Sequence, residues 1–226
     1  PSSSLVLWDW QSTGRKIIQR LKTSLLEYQE YRASARSLDI VLFGGKGRIS
    51  QAIKWATGSD KSHIALTLHI HQLATLAIFE STTLSDVPDL ISGAATKGVQ
   101  LVNMSSRLKT YDGEVWVRPI LGPRTSKMKR AAMNLMRDFH GRPYEKSQLD
   151  LIRSALDIPG FKMTQNQGDA SSVFCSELSA IMLREVGILK GGEPPDEFTP
   201  ADFAGDDLKL AEGYSLGDIE PLERPS

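Results

Sequence analysis

Two periodicities alternate along this chain. Apolar positions three and four apart mark one face of a helix, and every-other-residue alternation marks a strand. The helical spacing runs first through "RKIIQRLKTSLLEYQEY", where Ile17, Ile18, Leu21, Leu25 and Tyr28 share a face. "LDIVLF" (38–43) then reads as a short apolar strand. It is followed by the glycine-rich turn "GGKG" (44–47) and by "RISQAIKWATG", a helix with Ile49, Ala52, Ile53 and Ala56 on one side. Residues 62–81 read as a hairpin: Ile64, Leu66 and Leu68 take the core face of its first strand, with His63, Ala65 and Thr67 behind them. "GVQLVNM" (98–104) and "EVWVRPI" (114–120) predict two further strands.

Helical spacing returns in "TSKMKRAAMNLMRDFHG", where Met128, Ala131, Ala132, Leu135, Met136 and Phe139 align and Gly141 and Pro143 stop the run. "SSVFCSELSAIMLREVG" (171–187) is the next helix, with Phe174, Leu178, Ile181, Met182 and Val186 as its apolar stripe. Ser171 or Ser172 can cap it, and Gly187 can end it. In "EFTPADF", Thr199 is placed as a cap and Pro200 as the first helical residue. Clustered strands with flanking helices predict an α+β fold.

Composition narrows the picture. At 226 residues and 40% hydrophobic content the chain can bury one sizeable core. Lys plus Arg equals Asp plus Glu at 27 each, so no charge excess points to nucleic acid. A single cysteine excludes an intramolecular disulfide and a zinc site built from several cysteines. No apolar run reaches the length of a membrane span, and "PSSSLVLWDWQ" lacks the charged n-region of a signal peptide. The first helix carries Arg15, Lys16, Arg20 and Lys22 beside Trp8 and Trp10. Such a helix can lie on a membrane surface, although a cap on the core with a solvated basic face is the commoner use. Strand, glycines and helix at 38–58 have the layout of a phosphate cradle, but Lys46 does not close a G-x-x-x-x-G-K-[ST] match.

The lone cysteine is the first chemical candidate. With Ser172 as cap, Cys175 falls in the first turn of its helix, where unpaired N–H groups favour an anion such as a thiolate. Free cysteine is also a common core residue, and position alone leaves both uses open. A thiolate enzyme needs a base and a group to orient it. His69 and His71 fall at the hairpin tip, where solvent exposure is expected, and His140 can meet the last carbonyls of its helix. His63 opens a strand instead. If the hairpin turns about His71 and Gln72, His63 stands opposite Glu80, Ala65 opposite Ile78 and Thr67 opposite Leu76. Directly opposed side chains lie close enough for a carboxylate to bond an imidazole. The alternative is a strand-end charge beside a satisfied surface histidine.

These residues also resemble a known family. "LDIVLF…RISQAIKWATGSDKSHIALTL" is similar to the opening of the circularly permuted branch of the NlpC-like papain-fold superfamily, the YiiX/YebB-like group. "SSVFCSELSAIMLREVG" resembles its Cys-Ser-Glu-Leu helix start, "FHGRPYE" its Gly-x-x-Tyr segment and "EFTPADF" its Pro-x-Asp turn. The likeness covers roughly residues 38–203, histidine first and cysteine last. It implies a permuted papain-like fold with an antiparallel sheet packed against helices; the helical extension over residues 1–37 has no counterpart in the resemblance. It further implies Cys175 as nucleophile, His63 as base, Glu80 as the orienting group and Tyr144 as a wall or oxyanion-side residue, with the Cys175 N–H as oxyanion donor. Leu38 departs from the glycine usual in the family before Asp39-Ile40, so no role passes to Asp39.

The activity so implied is a thiol hydrolase that cleaves an amide of peptide or peptidoglycan type through an acyl-enzyme, with no metal or organic cofactor. A lipid-directed thiol hydrolase or acyltransferase, touching a membrane through the basic N-terminal helix, is the alternative. A binding module without turnover is the third reading. Specificity is expected in the loops at 87–98 and 157–170.

Overall fold

The computed structural model describes residues 26–142 and 170–225, with the side chains of Gln72 and of residues 170–174 left out. The architecture is α+β. A six-stranded sheet runs in the order β4–β3–β2–β1–β5–β8. Its strands are β1 (Ile40–Gly45), β2 (His63–Ile70), β3 (Thr75–Thr82), β4 (Gly98–Asn103), β5 (Gly113–Arg118) and β8 (Glu220–Pro221). Every neighbouring pair is antiparallel. β6 (Ile120–Leu121) and β7 (Ser215–Leu216) form a separate two-stranded ribbon.

The sheet is buried on both faces, which is why β1 reads as a continuous apolar run rather than an alternating one. Ile40 and Leu42 face one way, with Ile64, Leu66, Leu68, Ala77 and Phe79. That face is covered by α4 (Ser126–Phe139) and α5 (Ala170–Glu185), through residues such as Leu135, Met136, Leu178 and Met182. Val41 and Phe43 face the other way, with Ala65, Ile78, Val102 and Val117. α1 (Tyr28–Ser34) and α3 (Met104–Thr110) cover this second face through Tyr28, Tyr31, Met104 and Leu108. α2 (Arg48–Thr57) lies at the periphery, and α6 (Pro200–Ala204) closes the chain's last helical turn.

One local expectation holds, at Thr199, and the other helix ends follow local signals of the same kind. α2 stops at Gly58, in the left-handed region at φ 62°. Thr125 caps α4 by accepting a hydrogen bond from the Met128 N–H. Thr199 and Asp202 form a capping box with Pro200 at the first position of α6. Others need correction. Gly44 and Gly45 belong to β1 rather than to a turn. A side chain at Gly44 would meet the Asp60 carbonyl at 2.6 Å, so the glycine serves close strand-to-turn packing and not a phosphate cradle. Of the apolar face of α2, Ile53 is buried while Ala56 is exposed. Leu38 is buried at φ 73°, a left-handed conformation that glycine would adopt without strain. Its N–H donates to the Thr67 carbonyl at 2.7 Å. Asp39 is structural: its carboxylate accepts from the Arg36 and Ile120 N–H groups.

The basic helix expected over residues 15–31 lies largely outside the described residues, as do Trp8, Trp10, Arg15, Lys16, Arg20 and Lys22. The described part corrects it: Leu26 bridges Leu222 and Glu27 is extended, so α1 starts only at Tyr28, and it packs Tyr28 and Tyr31 into the core. Tyr144 and most of the 157–170 loop also lie outside. No helix among the described residues is long and apolar enough to cross a membrane.

Candidate active site

The turn between α2 and β2 delivers His63. Ser62 donates its backbone N–H to the Phe43 carbonyl at 2.7 Å, and its hydroxyl accepts from the Gly45 N–H at 3.1 Å. Lys61 sits over the Trp116 ring, 3.5 Å from its centroid. Phe43 packs against the His63 ring itself, with centroids 5.3 Å apart. His63 is thereby held as the first residue of β2, with its side chain 14% exposed.

β2 and β3 pair in a register shifted by two residues from the expected one: Leu66 stands opposite Phe79 and Thr67 opposite Ile78. The chain turns through a short 3-10 segment at His71–Leu73, closed by Ala74 at φ 45°, instead of a tight turn at His71 and Gln72. Direct opposition of His63 and Glu80 is therefore lost. Their contact is not. The two residues stay on the same face as diagonal neighbours, a spacing that a long side chain spans. His63 Nε2 lies 2.8 Å from Glu80 Oε2, an imidazole N–H donating to a carboxylate.

Cys175, on α5, meets the same ring and is hydrogen-bonded to the His63 side chain. Burial alone would push the His63 pKa down. The Cys175 and Glu80 side chains more than offset it and raise the value to about 9, so the ring carries its proton at neutral pH. Burial pushes the Glu80 carboxyl up, but Arg107 and His63 bring it below the usual carboxylate range.

Two expectations about Cys175 change. α5 begins at Ala170, which places Cys175 in the second helical turn rather than the first. N–H groups from the second turn onward are bonded within the helix, so the Cys175 N–H is not a free oxyanion donor. The residue is also buried, at 1% exposure, within the core under α5. Its carbonyl accepts from the Ser179 hydroxyl at 2.9 Å.

A cleft of about 620 Å³ opens beside His63, walled by Ile49, Ser62, Thr82, Asp86 and Tyr111 among others. Cys175 is not on its wall. Tyr111 packs edge-on to Phe43, with centroids 4.9 Å apart. Burial, foremost, holds its phenol well above the ordinary value and therefore protonated.

Two of the remaining histidines, His69 and His140, have hydrogen-bond partners, while His71 is exposed at the turn. His69 Nε2 bonds the Ala35 carbonyl at 2.7 Å, so it is not a free tip residue. His140 bonds Asp89 at 2.8 Å instead of its own helix carbonyls. Asp89 in turn accepts from the Ser92 and Leu101 N–H groups, which pins the loop at 87–98 against β4. Among the described residues no three His, Cys, Asp or Glu side chains are grouped to hold a metal ion.

Sequence reasoning missed Arg107. It is fully buried and donates its Nε–H to Glu80 Oε1 at 2.8 Å, while Nη1 donates to Asp86. A lone arginine in the polar stretch "NMSSRLKT" carries no periodic signal. Only its place on α3 behind Glu80 reveals it.

No protein-family model matches the chain. No curated protein matches it either. Among solved structures, the crystal structure of the metalloprotein yiiX from Escherichia coli O157:H7 (DUF1105) is similar, with a TM-score of 0.45 and 15% identity. The alignment covers 84% of this chain and 97% of that one.

Proposed function

We propose that this protein is a thiol hydrolase of amide or ester bonds, built on a papain-like fold in permuted order. Cys175 is the nucleophile, His63 the proton carrier and Glu80 the group that orients the imidazole. The observation that carries this reading is the His63 ring, bonded to Glu80 through Nε2 and in side-chain contact with Cys175. In the reaction the thiolate sulfur bonds the carbonyl carbon, and the carbonyl electron pair moves to oxygen. The His63 imidazolium protonates the leaving nitrogen or oxygen as its bond to carbon breaks, which leaves a thioester. Water then attacks the thioester, neutral His63 takes its proton, and the acid product leaves with the thiolate restored. A peptide or peptidoglycan-type amide is the first substrate class to test, and an acyl lipid ester is the second.

The burial of Cys175 favours one other reading, in which the thiol is core filler and its contact with His63 is structural. Exposure of the full chain to a panel of amides and activated esters, followed by intact mass measurement, separates the two. An acyl adduct on Cys175 that hydrolyses with time, absent in Cys175→Ala and slowed in His63→Ala, supports the hydrolase. Sink the idea with no adduct, and with a thiol that reacts with iodoacetamide no faster than free cysteine at pH 7.

A further inference from the structure

We infer that Arg107 is a positioning residue for the His63–Glu80 pair, keeping Glu80 ionised and turned so that one oxygen always faces the imidazole. The inference rests on His63 being the proton carrier of the proposed hydrolase.

The geometry divides the Glu80 carboxylate between two partners. Oε2 takes the His63 Nε2–H and Oε1 takes the Arg107 Nε–H, each at 2.8 Å. Arg107 is itself fixed on every side. Nη1 donates to Asp86, which is 40% exposed on the cleft wall. Nη2 donates to the Gln100 amide oxygen at 3.1 Å, with the amide oriented by its hydrogen-bond network. Gln100 stands directly opposite Glu80 on β4. Charges therefore alternate from the site to the cleft wall: His63, Glu80, Arg107, Asp86. The other titratable groups facing this row are Cys175 from α5 and Tyr111 from the end of α3.

Glu80 is buried, and a buried carboxylate without a counter-charge takes up a proton. A protonated Glu80 accepts from the imidazolium only as a neutral oxygen, without the charge assistance that holds the ring in place. Arg107 opposes that protonation from the side His63 does not occupy. It also removes the rotation that would exchange the two oxygens. A guanidinium suits the place because its fork bonds Glu80 and Asp86 at once, which an ammonium does not do.

The test uses the full chain and its Arg107→Gln and Arg107→Lys variants, each checked for folding by thermal melt. Two quantities are followed from pH 4 to 10: the ring-nitrogen NMR shifts of His63, and the rate of Cys175 alkylation by iodoacetamide. In Arg107→Gln the charge-assisted His63–Glu80 bond is expected to be lost at a higher pH. Alkylation near pH 5, relative to the same variant at pH 8, should fall on the order of tenfold below wild type. Arg107→Lys keeps the charge but not the fork, and is expected to fall between. If Arg107→Gln does not fold, the lysine variant decides alone. A folded variant with the wild-type acid limb and wild-type His63 shifts overturns the inference. An inert thiol in the wild type would instead count against the hydrolase, while the NMR arm still tests Arg107.

Discussion

His63 Nε2 and Glu80 Oε2 meet at 2.8 Å diagonally across β2 and β3, inside a sheet that is covered on both faces. The carboxylate is buried and its other oxygen is held by Arg107, so its charge is matched rather than solvated. Glu80→Gln keeps the shape and removes the charge, which leaves Arg107 with Asp86 as its one anionic partner. Loss of a buried ion-pair partner is expected to cost about 3 kcal/mol, read by urea denaturation. The His63 pKa should also fall from about 9, read by NMR titration of the ring. An unchanged His63 titration would show that the 2.8 Å contact has no electrostatic weight.

The same pair predicts how stability depends on pH. The folded pKa of His63 is raised from 6.5 to about 9. Its contribution is therefore complete below pH 6.5 and is lost as pH rises through 9. Glu80 is shifted the other way, below its ordinary 4.5, so its contribution is present above that value and is lost as pH falls further. Melting temperatures should peak between these limits and decline on the alkaline side. His63→Ala should flatten the alkaline decline, and a wild-type slope in that variant would assign the decline to other groups.

Cys175 gives a separation of stability from chemistry. Cys175→Ala trims one sulfur from a packed core and is expected to cost about 1 kcal/mol, with the fold retained. His63→Ala should leave the thiol in place yet reduce ester turnover by about 100-fold or more. Turnover surviving in either folded variant would remove that residue from the machinery.

Much of this arrangement is legible from the sequence, and the exceptions have identifiable causes. Alternation in "SHIALTL" and "ATLAIFES" assigns the strands and the face bearing Ile64, Leu66 and Leu68. Register is less legible. A two-residue slip keeps every side chain on its face, so the hydrophobic pattern cannot distinguish the two pairings, and the 3-10 turn at His71–Leu73 decides. The His63–Glu80 contact survives the slip because it depends on face and reach rather than on opposition. Ser171 and Ser172 are good caps and would put Cys175 in the first turn, whereas the helix begins at Ala170 and sets it one turn deeper. The unbroken apolar run of β1 accords with burial of both sheet faces, whereas in β2 the polar Thr67 masks it although that residue is buried.

Leu38 sets two familiar penalties against each other. Its left-handed backbone costs roughly 1–2 kcal/mol, while its buried side chain contributes more than that. Both truncations should therefore destabilise. Leu38→Ala keeps the strained backbone, whereas Leu38→Gly relieves it, so the glycine variant is expected to be the more stable by roughly 1 kcal/mol. Denaturant midpoints in the reverse order would mean that the φ of 73° carries no strain.

Gly44→Ala tests the route by which β1 places the histidine. The new Cβ would meet the Asp60 carbonyl at 2.6 Å and the Trp116 ring at 2.9 Å. Something must move, and Asp60 lies in the turn that leads into His63. The expected outcome is a loss of about 1–3 kcal/mol together with slower Cys175 alkylation. Wild-type alkylation in a destabilised variant would show that the turn can shift without carrying His63.

The two-faced sheet also has a consequence for synthesis. The strands through β5 leave the ribosome together with α1 and α3, which supply the cover for one face. The cover for the other face, α4 and α5, follows only later. Until then Ile40, Leu42, Ile64, Leu66 and Phe79 form a bare apolar wall on a nascent chain. Holdase chaperones bind surfaces of this kind. One of the helices that hide the wall carries Cys175, so this thiol emerges only with the segment that covers it.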